Sequence, residues 1–327
     1  MRRRIFAVIL LLLAICIASA TLILAITPFG NRLLGSAGIT LSTTTLTPIP
    51  YTPTPTPPPK PVLTVKGTPP KIQATAVYLM DMDTGNVLIN TDGEKTLAMA
   101  STTKIMTALI AIQTADLDQM MTIQQSDIDH ALLNDGSNAA LRTNDKLSLR
   151  DLLYALMLPS GDDAATTIAR VLGGGSIANF VTRMNLFAYR LHLFQTHFSN
   201  PDGLTLDGDG PHYTTAADLA HLTRYALSVP LFAQIVKTPT YTVSATNHNH
   251  LYHWSNTNLL LTTYTGTDGV KTGHTFAAGY CLVFAATRNG HTLLGIILNS
   301  PSETQRNKDA ITVLNWGFAL PLLPPTP

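Results

Sequence analysis

The stretch "AMASTTKIMTALIA", residues 98 to 111, places a serine and a lysine three positions apart at the start of an apolar helical pattern. Residues at positions i and i+3 of a helix share one face, so Ser101 and Lys104 are expected to meet. We predict that Ser101 is the N-cap of this helix, where free backbone N–H groups favour developing negative charge. A serine hydroxyl needs a base nearby to act as a nucleophile, and a buried lysine close to another cation can serve.

Two further motifs follow this one in a fixed order. The segment "PSGDD", residues 159–163, contains Ser160 and Asp162, and "VKTGH", residues 270–274, lies on a predicted strand and contains Lys271. The ordered set S-x-x-K, S-x-N and K-T-G is the signature of penicillin-recognising serine enzymes. Asp162 stands where that signature has asparagine. Three ordered motifs are far more specific than S-x-x-K alone, which an N-cap serine and a surface lysine would also produce.

The chain resembles the low-molecular-weight penicillin-binding proteins of peptidase family S11, which act as serine-type D-alanyl-D-alanine carboxypeptidases. The resemblance runs from about Thr75 to Phe318 and includes "FSNPDGL", "HYTTAADLA", "NTNLLL" and "LNWGF". It implies an α/β fold of the serine β-lactamase and penicillin-binding transpeptidase type. It also implies peptidoglycan stem peptides ending in D-Ala-D-Ala as substrates, β-lactam antibiotics as covalent inhibitors, and no metal or organic cofactor.

The resemblance assigns three catalytic residues. Ser101 is expected to attack the carbonyl of the penultimate D-alanine, and Lys104 is expected to take its proton. Ser160 is expected to relay a proton to the amine of the leaving D-alanine. Asp162 keeps the oxygen that the family's asparagine offers to the lysine, but it lacks the N–H donor and adds a negative charge.

The same resemblance assigns the K-T-G strand to substrate binding. Lys271 is expected to hold a positive field over the site, and Thr272 is expected to bind the substrate carboxylate. Gly273 allows the strand backbone to approach the substrate closely.

The oxyanion hole is expected to consist of the backbone N–H groups of Ser101 and His274. When the chain is aligned with the family without a gap from Lys271 onward, Arg306 occupies the position at which relatives have an arginine near the carboxylate pocket. The planar fork of an arginine suits a carboxylate because it can make two parallel hydrogen bonds. An exposed arginine at a helix start is the alternative for Arg306.

The remaining pattern predicts an α/β fold with an antiparallel sheet built from both ends of the chain and flanked by helices. A hairpin with a turn at Asp83–Asn86 opens the domain, and a second hairpin with a turn at Asn289–Gly290 lies near its end. Helical patterns lie between and after these hairpins, at residues 101–115, 148–158, 160–173, 214–228 and 311–318.

The N-terminus predicts a membrane segment. Residues 1–26 combine three arginines, at positions 2 to 4, with an uncharged run from Ile5 to Ile26. At about 1.5 Å per residue the run is about 33 Å long, which is enough to cross a bilayer. We therefore predict an uncleaved anchor with the arginines in the cytoplasm and the catalytic domain on the extracytoplasmic face of the bacterial membrane. The small residues Ala18-Ser19-Ala20 leave open a cleaved signal peptide and a secreted protein.

Composition then divides the rest of the chain. Residues 27–70 are rich in proline and threonine, which predicts a semi-rigid polyproline II linker. Residues 71–320 are expected to form the catalytic domain, followed by a short tail at 321–327. The formal net charge of +1 argues against a nucleic-acid partner. The two cysteines are far apart, and Cys16 lies in the apolar run, so we expect no disulfide.

Three other functions stay open. D,D-endopeptidase action on wall crosslinks is a close variant of the predicted hydrolysis. A catalytically weak penicillin-binding or wall-binding protein is an alternative that Asp162 suggests. A β-lactamase is less favoured, because class A enzymes use a glutamate in deacylation and no glutamate occurs between Ser160 and Lys271.

Two other groups of titratable residues are predicted to have no functional role. We predict that Asp81 and Asp83, which alternate near a turn, face solvent. We assign the histidines of "HNHLYH", residues 248–253, to a structural or loop role because no carboxylate accompanies them in the sequence.

Overall fold

A five-stranded antiparallel sheet lies at the centre of the computed structural model, which describes residues 61–206, 208 and 210–323. Its spatial order is β3-β2-β10-β9-β8, and its strands are β2 (Ala76–Asp81), β3 (Val87–Thr91), β8 (Thr267–Thr275), β9 (Gly279–Arg288) and β10 (His291–Ser300). The sheet therefore combines both ends of the domain, which confirms the predicted architecture.

Both predicted hairpins are present. Strands β2 and β3 pair in antiparallel fashion, and Gly85 in their turn has a φ of +78°. Strands β9 and β10 are joined by Asn289 and Gly290, whose φ values are +50° and +78°. Positive φ at both central residues gives a two-residue turn the twist of the flanking strands, which is why Asn-Gly favours this connection.

The helices fill the middle of the domain and close its end. A 3₁₀ turn (Ala100–Thr103) leads directly into α1 (Lys104–Thr114). The other helices are α2 (Gln125–Leu133), α3 (Leu149–Met157), α4 (Asp162–Leu172), α5 (Ile177–Arg190), α6 (Ala216–Leu227), α7 (Pro230–Lys237), α8 (Leu260–Thr263) and α9 (Glu303–Phe318).

Three pairs of short strands complete the fold. They are β1 (Val62–Leu63) with β11 (Leu322–Leu323), β4 (Met120–Thr122) with β5 (Lys146–Ser148), and β6 (Thr240–Val243) with β7 (Tyr252–Ser255). Strand β1 comes from the segment that we predicted to be linker, and β11 comes from the predicted tail. This pair could not be predicted, because a two-residue strand is too short to show a periodic pattern.

Two apolar layers cover the sheet. Along β10, Leu294, Ile296 and Leu298 belong to the larger core, which contains the helices of the middle of the chain. Leu293 and Ile297 belong to a smaller core with α9 on the opposite face. Successive side chains of a strand point to opposite faces, so an unbroken apolar strand such as β10 must be covered on both sides.

Two residue predictions are wrong. Ser101 is not the N-cap, because the 3₁₀ turn begins one residue earlier and Met99 caps it. Asp81 does not face solvent: it is 0% exposed, because it is the last residue of a central strand covered on both faces. Helix α5 was not predicted, although Ser176 caps it through a hydrogen bond from the backbone N–H of Asn179. His248 and His250 lie in a loop that precedes β7.

The predicted anchor at residues 1–26 and the linker up to residue 60 lie outside the described residues. Within the part of the chain that the structure describes, none of the helices combines the length and the apolar character needed to cross a membrane.

Candidate active site

The 3₁₀ turn and the first turn of α1 bring Ser101 and Lys104 together. Lys104 Nζ donates a hydrogen bond to Ser101 Oγ over 2.8 Å. Lys104 is 0% exposed, whereas Ser101 is partly exposed. A nucleophile within hydrogen-bond reach of a buried amine is the arrangement that activation of a serine requires.

Two other oxygen atoms hold the Lys104 amine. It donates to the backbone carbonyl of Asp202 over 2.8 Å, and it lies 2.5 Å from Asp162 Oδ1. Together with Ser101 Oγ, three oxygen atoms lie around the Lys104 Nζ atom. The amine is therefore fixed in front of the serine without any need for solvent.

Asp162 begins α4 and is 1% exposed. Its backbone N–H donates to the carbonyl of Ser137 over 2.8 Å. A Cβ at Gly136 would collide with the Asp162 carboxylate, so glycine at that position allows the wall of the cleft to close over the acid. Burial and the nearby charge of Asp202 raise the pKa of Asp162 to about 6, although the Lys104 charge opposes the rise.

Ser160 lies at the turn between α3 and α4 with a φ of +69°. Such a conformation is uncommon for a residue other than glycine, and it costs on the order of 1–3 kcal/mol. Residues held in this way cluster at functional sites because the surrounding structure must enforce them. Ser160 is 5% exposed and faces the same cleft as Ser101.

Strand β8 forms the opposite wall. A Cβ at Gly273 would lie 3.1 Å from the backbone nitrogen of Ser101, so the strand passes very close to the 3₁₀ turn. Thr272 Oγ1 is 2.7 Å from Thr257 Oγ1. The ring of His274 stacks on Tyr280 with 4.1 Å between ring centroids.

Lys271 lies beneath this wall and is 1% exposed. Its Nζ donates to the carbonyl of Thr272 over 2.9 Å. Burial, with the charges of Lys104 and Arg306 as further causes, holds the pKa of Lys271 well below its ordinary value. The positive charges of Lys104 and Arg306 thus act on Lys271 together with its burial.

Arg306 lies in the first turn of α9 and is 3% exposed, so it is not an exposed surface arginine. It donates from Nη2 to Glu303 over 3.0 Å, and from Nε and Nη2 to Asn307 over 3.1 Å. Burial lowers the pKa of Arg306, and the neighbouring Glu303 opposes that change. These bonds use one side of the guanidinium and orient it at the edge of the cleft.

One cleft of about 320 Å³ collects these groups. Every predicted site residue except the two buried lysines lines this cleft. The lining residues from the prediction are Ser101, Ser160, Asp162, Thr272, Gly273, His274 and Arg306. Residues that are far apart in the sequence therefore meet around a single concave surface, which is the usual form of a small-molecule site.

Sequence reasoning missed Asp202 and His130. The backbone carbonyl of Asp202 accepts a hydrogen bond from Lys104. The side-chain Oδ2 of Asp202 lies 2.7 Å from His130 Nε2. Burial alone would raise the pKa of Asp202, but the His130 hydrogen bond and the Lys104 charge outweigh burial and hold it below the ordinary value. In the sequence, Asp202 lies in the segment "FSNPDGL", which contributed to the family resemblance but received no functional role.

Sequence reasoning also missed Asp163, Thr257 and Glu303. The Asp163 carboxylate accepts hydrogen bonds from the backbone nitrogens of Ala139, Leu141 and Ala164 at 2.8 to 3.1 Å. It therefore ties the loop that carries Asp135, Gly136 and Ser137 to the start of α4. Nothing in the sequence distinguishes such a buried acid from a helix-start acid exposed to solvent.

Comparison with known proteins agrees with this geometry. Residues 64–302 match the family model of D-alanyl-D-alanine carboxypeptidase, peptidase S11. The chain is 40% identical to a D-alanyl-D-alanine carboxypeptidase of Streptomyces sp. strain K15 over 77% of this chain and 90% of that protein. It is 33% identical to the carboxypeptidase DacF of Bacillus subtilis, of which it spans 62% of the length.

A solved structure resembles the whole described domain. The crystal structure of the Streptomyces K15 DD-transpeptidase superposes with a TM-score of 0.74 at 40% sequence identity, over 78% of this chain and 100% of that one. The ordered motifs, the shared cleft and these matches lead to one assignment: the chain belongs to the D-alanyl-D-alanine carboxypeptidase family of serine peptidases, peptidase S11.

Proposed function

We propose that the protein hydrolyses the terminal D-Ala-D-Ala bond of peptidoglycan stem peptides through an acyl-enzyme on Ser101. The observation that carries this proposal is the 2.8 Å contact between Lys104 Nζ and Ser101 Oγ, at the edge of a cleft walled by the K-T-G strand. A serine nucleophile, a buried amine and a strand edge beside them are the parts that acyl transfer needs.

Acylation begins when Ser101 Oγ attacks the carbonyl carbon of the penultimate D-alanine. Lys104, in its neutral form, takes the serine proton as the C–O bond forms. The backbone N–H groups of Ser101 and His274 stabilise the oxyanion of the tetrahedral intermediate. The close approach of β8 to the 3₁₀ turn at Gly273 supports this pairing of donors.

Collapse of the intermediate breaks the C–N bond and leaves an ester on Ser101. The proton from Lys104 passes through Ser160 to the leaving D-alanine amine. Water then attacks the ester while Lys104 accepts a proton from it. The ester C–O bond breaks, and Lys104 returns the proton to Ser101 Oγ, which regenerates the serine. No step needs a metal or an organic cofactor.

The substrate carboxylate binds between Thr272 and Arg306. Thr272 offers a hydroxyl donor, and Arg306 offers a guanidinium already oriented by Glu303 and Asn307. Lys271 lies beneath the same wall, and burial is the main reason that its pKa lies well below the ordinary value. A carboxylate that enters the cleft would favour the charged form of this lysine.

The test is a pair of assays on the purified protein: release of D-alanine from a stem pentapeptide and labelling with fluorescent penicillin. Ser101→Ala should abolish both, whereas Ser255→Ala, at an exposed serine on β7, should change neither. Peptide mapping should place the label on Ser101. Labelling that persists in the Ser101→Ala variant, or that maps to another serine, contradicts the assignment.

Transfer to an amine is a second candidate reaction, because a relative of 40% identity is described as a DD-transpeptidase. The two reactions share the Ser101 ester and differ in whether water or an amine resolves it. Adding glycine or a D-amino acid to the pentapeptide assay separates them, since transfer would yield a longer or exchanged peptide. Turnover of a crosslinked dimer and of a chromogenic cephalosporin distinguishes endopeptidase and β-lactamase activity in the same experiment.

As a member of this family the protein is a bacterial cell-wall enzyme that acts outside the cytoplasm. We propose that residues 1–26 anchor it to the membrane and that residues 27–70 form a stalk, on the strength of the apolar run and the proline-rich composition. Full-length protein should sediment with membranes and keep Met1 or Arg2 at its N-terminus. A mature N-terminus after Ala20 would instead establish cleavage.

A further inference from the structure

A second cluster of ligand-type side chains lies at the other end of the sheet. Asp81 ends β2, Asp83 lies in the following turn, and His291 begins β10. Leu293 pairs with Asp81 in the antiparallel register, which brings His291, two residues earlier, alongside Asp83. Side chains two residues apart on a strand point to the same face, so all three side chains meet there.

This cluster is separate from the active site. Lys271 pairs with Val283, and Val283 pairs with Ile296 on β10. His291 lies five residues before Ile296, which is about 17 Å along the strand. None of the three residues lines the cleft that contains Ser101.

Asp81 is a buried carboxylate with an unused oxygen. Its side chain is 0% exposed, and its Oδ1 accepts a hydrogen bond from the backbone nitrogen of Asp83 over 2.9 Å. Its Oδ2 has no hydrogen-bond partner and points towards His291 Nδ1, which also has none. The two atoms are 3.7 Å apart, which is too long for a hydrogen bond. A buried ionised oxygen without a partner is costly, so this arrangement calls for a third atom between the two.

The spacing suits a metal ion. One ligand atom from each of Asp81, Asp83 and His291 lies within 4.8 Å of the other two. Metal–oxygen and metal–nitrogen distances at zinc are about 2.0–2.2 Å, so small side-chain movements bring all three atoms to one centre. Asp83 is exposed, and its Oδ2 accepts only a long hydrogen bond, 3.3 Å from the Thr292 nitrogen.

The local charge also favours a dication. Two carboxylates face a histidine, and among the described residues no lysine or arginine nitrogen forms an ion pair with either carboxylate. Arg224 is the cation near this turn, and its Nε donates to the Met82 carbonyl over 2.9 Å. A dication at the cluster balances both carboxylates and uses the neutral imidazole as a ligand.

We propose that Asp81, Asp83 and His291 bind a divalent transition metal ion of the Zn²⁺ type, with water completing the coordination. Imidazole selects zinc and its neighbours over Mg²⁺ and Ca²⁺, which prefer oxygen ligands only. The ion ties the β2–β3 turn to the start of β10. Its role is structural, because it is remote from the Ser101 ester and takes no part in acyl transfer.

The experiment measures Zn²⁺ binding and thermal unfolding of the full-length protein after chelation and dialysis. Wild type should bind one Zn²⁺ that Asp81→Asn and His291→Gln each remove. At a free Zn²⁺ concentration of about 100 times Kd, mass action predicts a rise in Tm of roughly 5–10 °C for a domain of this size. The variants should show no rise, and penicillin labelling should be the same in all proteins.

His221→Gln is the matched control, because His221 is an exposed histidine on α6 and should leave Zn²⁺ binding intact. His291 is only partly buried, so His291→Gln keeps the test decisive if Asp81→Asn does not fold. A bound ion seen by anomalous scattering between Asp81 and His291 would support the proposal. Absence of binding, binding that survives both site variants, or an equal Tm rise with Mg²⁺ would overturn it.

Discussion

Asp162 stands where the S-x-N signature has asparagine, and its negative charge lies beside the lysine that is proposed to act as the base. Asp162 Oδ1 lies 2.5 Å from Lys104 Nζ, so an ionised Asp162 favours the ammonium form of the base. An ammonium cannot accept the Ser101 proton. Asparagine would keep an oxygen at this position without the charge.

Asp162→Asn should therefore raise the rate of penicillin acylation at pH 7. The pH range over which the acylation rate increases with pH should also move to lower pH. Each pH unit of movement changes the rate at pH 7 by up to roughly 10-fold. The measurement is the acylation rate of both proteins from pH 5 to pH 10. An asparagine variant that is slower at every pH would mean that the site depends on the aspartate, and our account of its electrostatics would be wrong.

Arg306 allows a second prediction at this scale. Loss of a charge-assisted contact with the substrate carboxylate costs about 1.5–3 kcal/mol, so Arg306→Ala should lower kcat/KM for D-Ala-D-Ala peptides by roughly 10- to 150-fold. The loss should appear mainly in KM. Glu303→Gln keeps an oxygen acceptor for the Arg306 guanidinium, so it should not raise KM. Steady-state kinetics close to wild type for Arg306→Ala would remove this residue from the substrate site.

At the scale of elements, the cleft depends on how the loop before β5 is held against α4. Asp163 accepts three backbone N–H groups there, and it is 0% exposed. Burial raises the pKa of Asp163, although the amide donors oppose the rise. The carboxylate therefore acts as a buried connector between two segments that carry Ser137 and Asp162.

Asp163→Ala would leave buried amides without acceptors, at a cost of about 1–3 kcal/mol for each. We expect Tm to fall by at least roughly 6 °C and KM for the pentapeptide to rise as the loop loosens. Asp163→Asn retains one acceptor oxygen and should lie between wild type and Asp163→Ala. Calorimetry and steady-state kinetics on the three proteins test this order, and an unchanged Tm for Asp163→Ala would show that the loop is held by other contacts.

For the whole molecule, the buried carboxyl group of Asp162 makes the stability of the fold depend on pH. The pKa of Asp162 rises from 3.8 to about 6 in the folded protein, chiefly because of burial. A raised folded pKa means that the contribution of Asp162 to stability is fully present below pH 3.8 and is lost as pH rises through about 6. The charged groups around Asp162 are Lys104, Asp202 and Asp163. They would surround an asparagine in the same way, so the variant differs from wild type in the titration of residue 162.

As pH rises from 4 to 6.5, the Tm of Asp162→Asn should therefore increase relative to the Tm of wild type. A pKa change of this size corresponds to about 3 kcal/mol, or roughly 6–12 °C in a domain of this length. Thermal unfolding of both proteins across that interval is the measurement. Parallel Tm curves would mean that Asp162 titrates near its ordinary value when folded.

Local sequence patterns were enough to identify the family, the two hairpins and five of the helices. They also identified Ser101, Lys104, Ser160 and Lys271 as site candidates. These features are encoded locally: S-x-x-K places two side chains on one helix face, and Asn-Gly fixes a two-residue turn. The prediction that K-T-G lies on a strand was local too, because a strand pattern needs only neighbouring residues.

The burial of polar residues and the meeting of distant residues could be seen only in the folded domain. Asp202 reaches Lys104 from a loop about 100 residues away, and Asp81 and Asp163 look like surface acids in the sequence. Ser101 lies inside a 3₁₀ turn, and β8 packs against that turn at Gly273. The physical reason is that burial and charge coupling depend on everything packed around a group, and those neighbours come from parts of the chain that no local pattern connects.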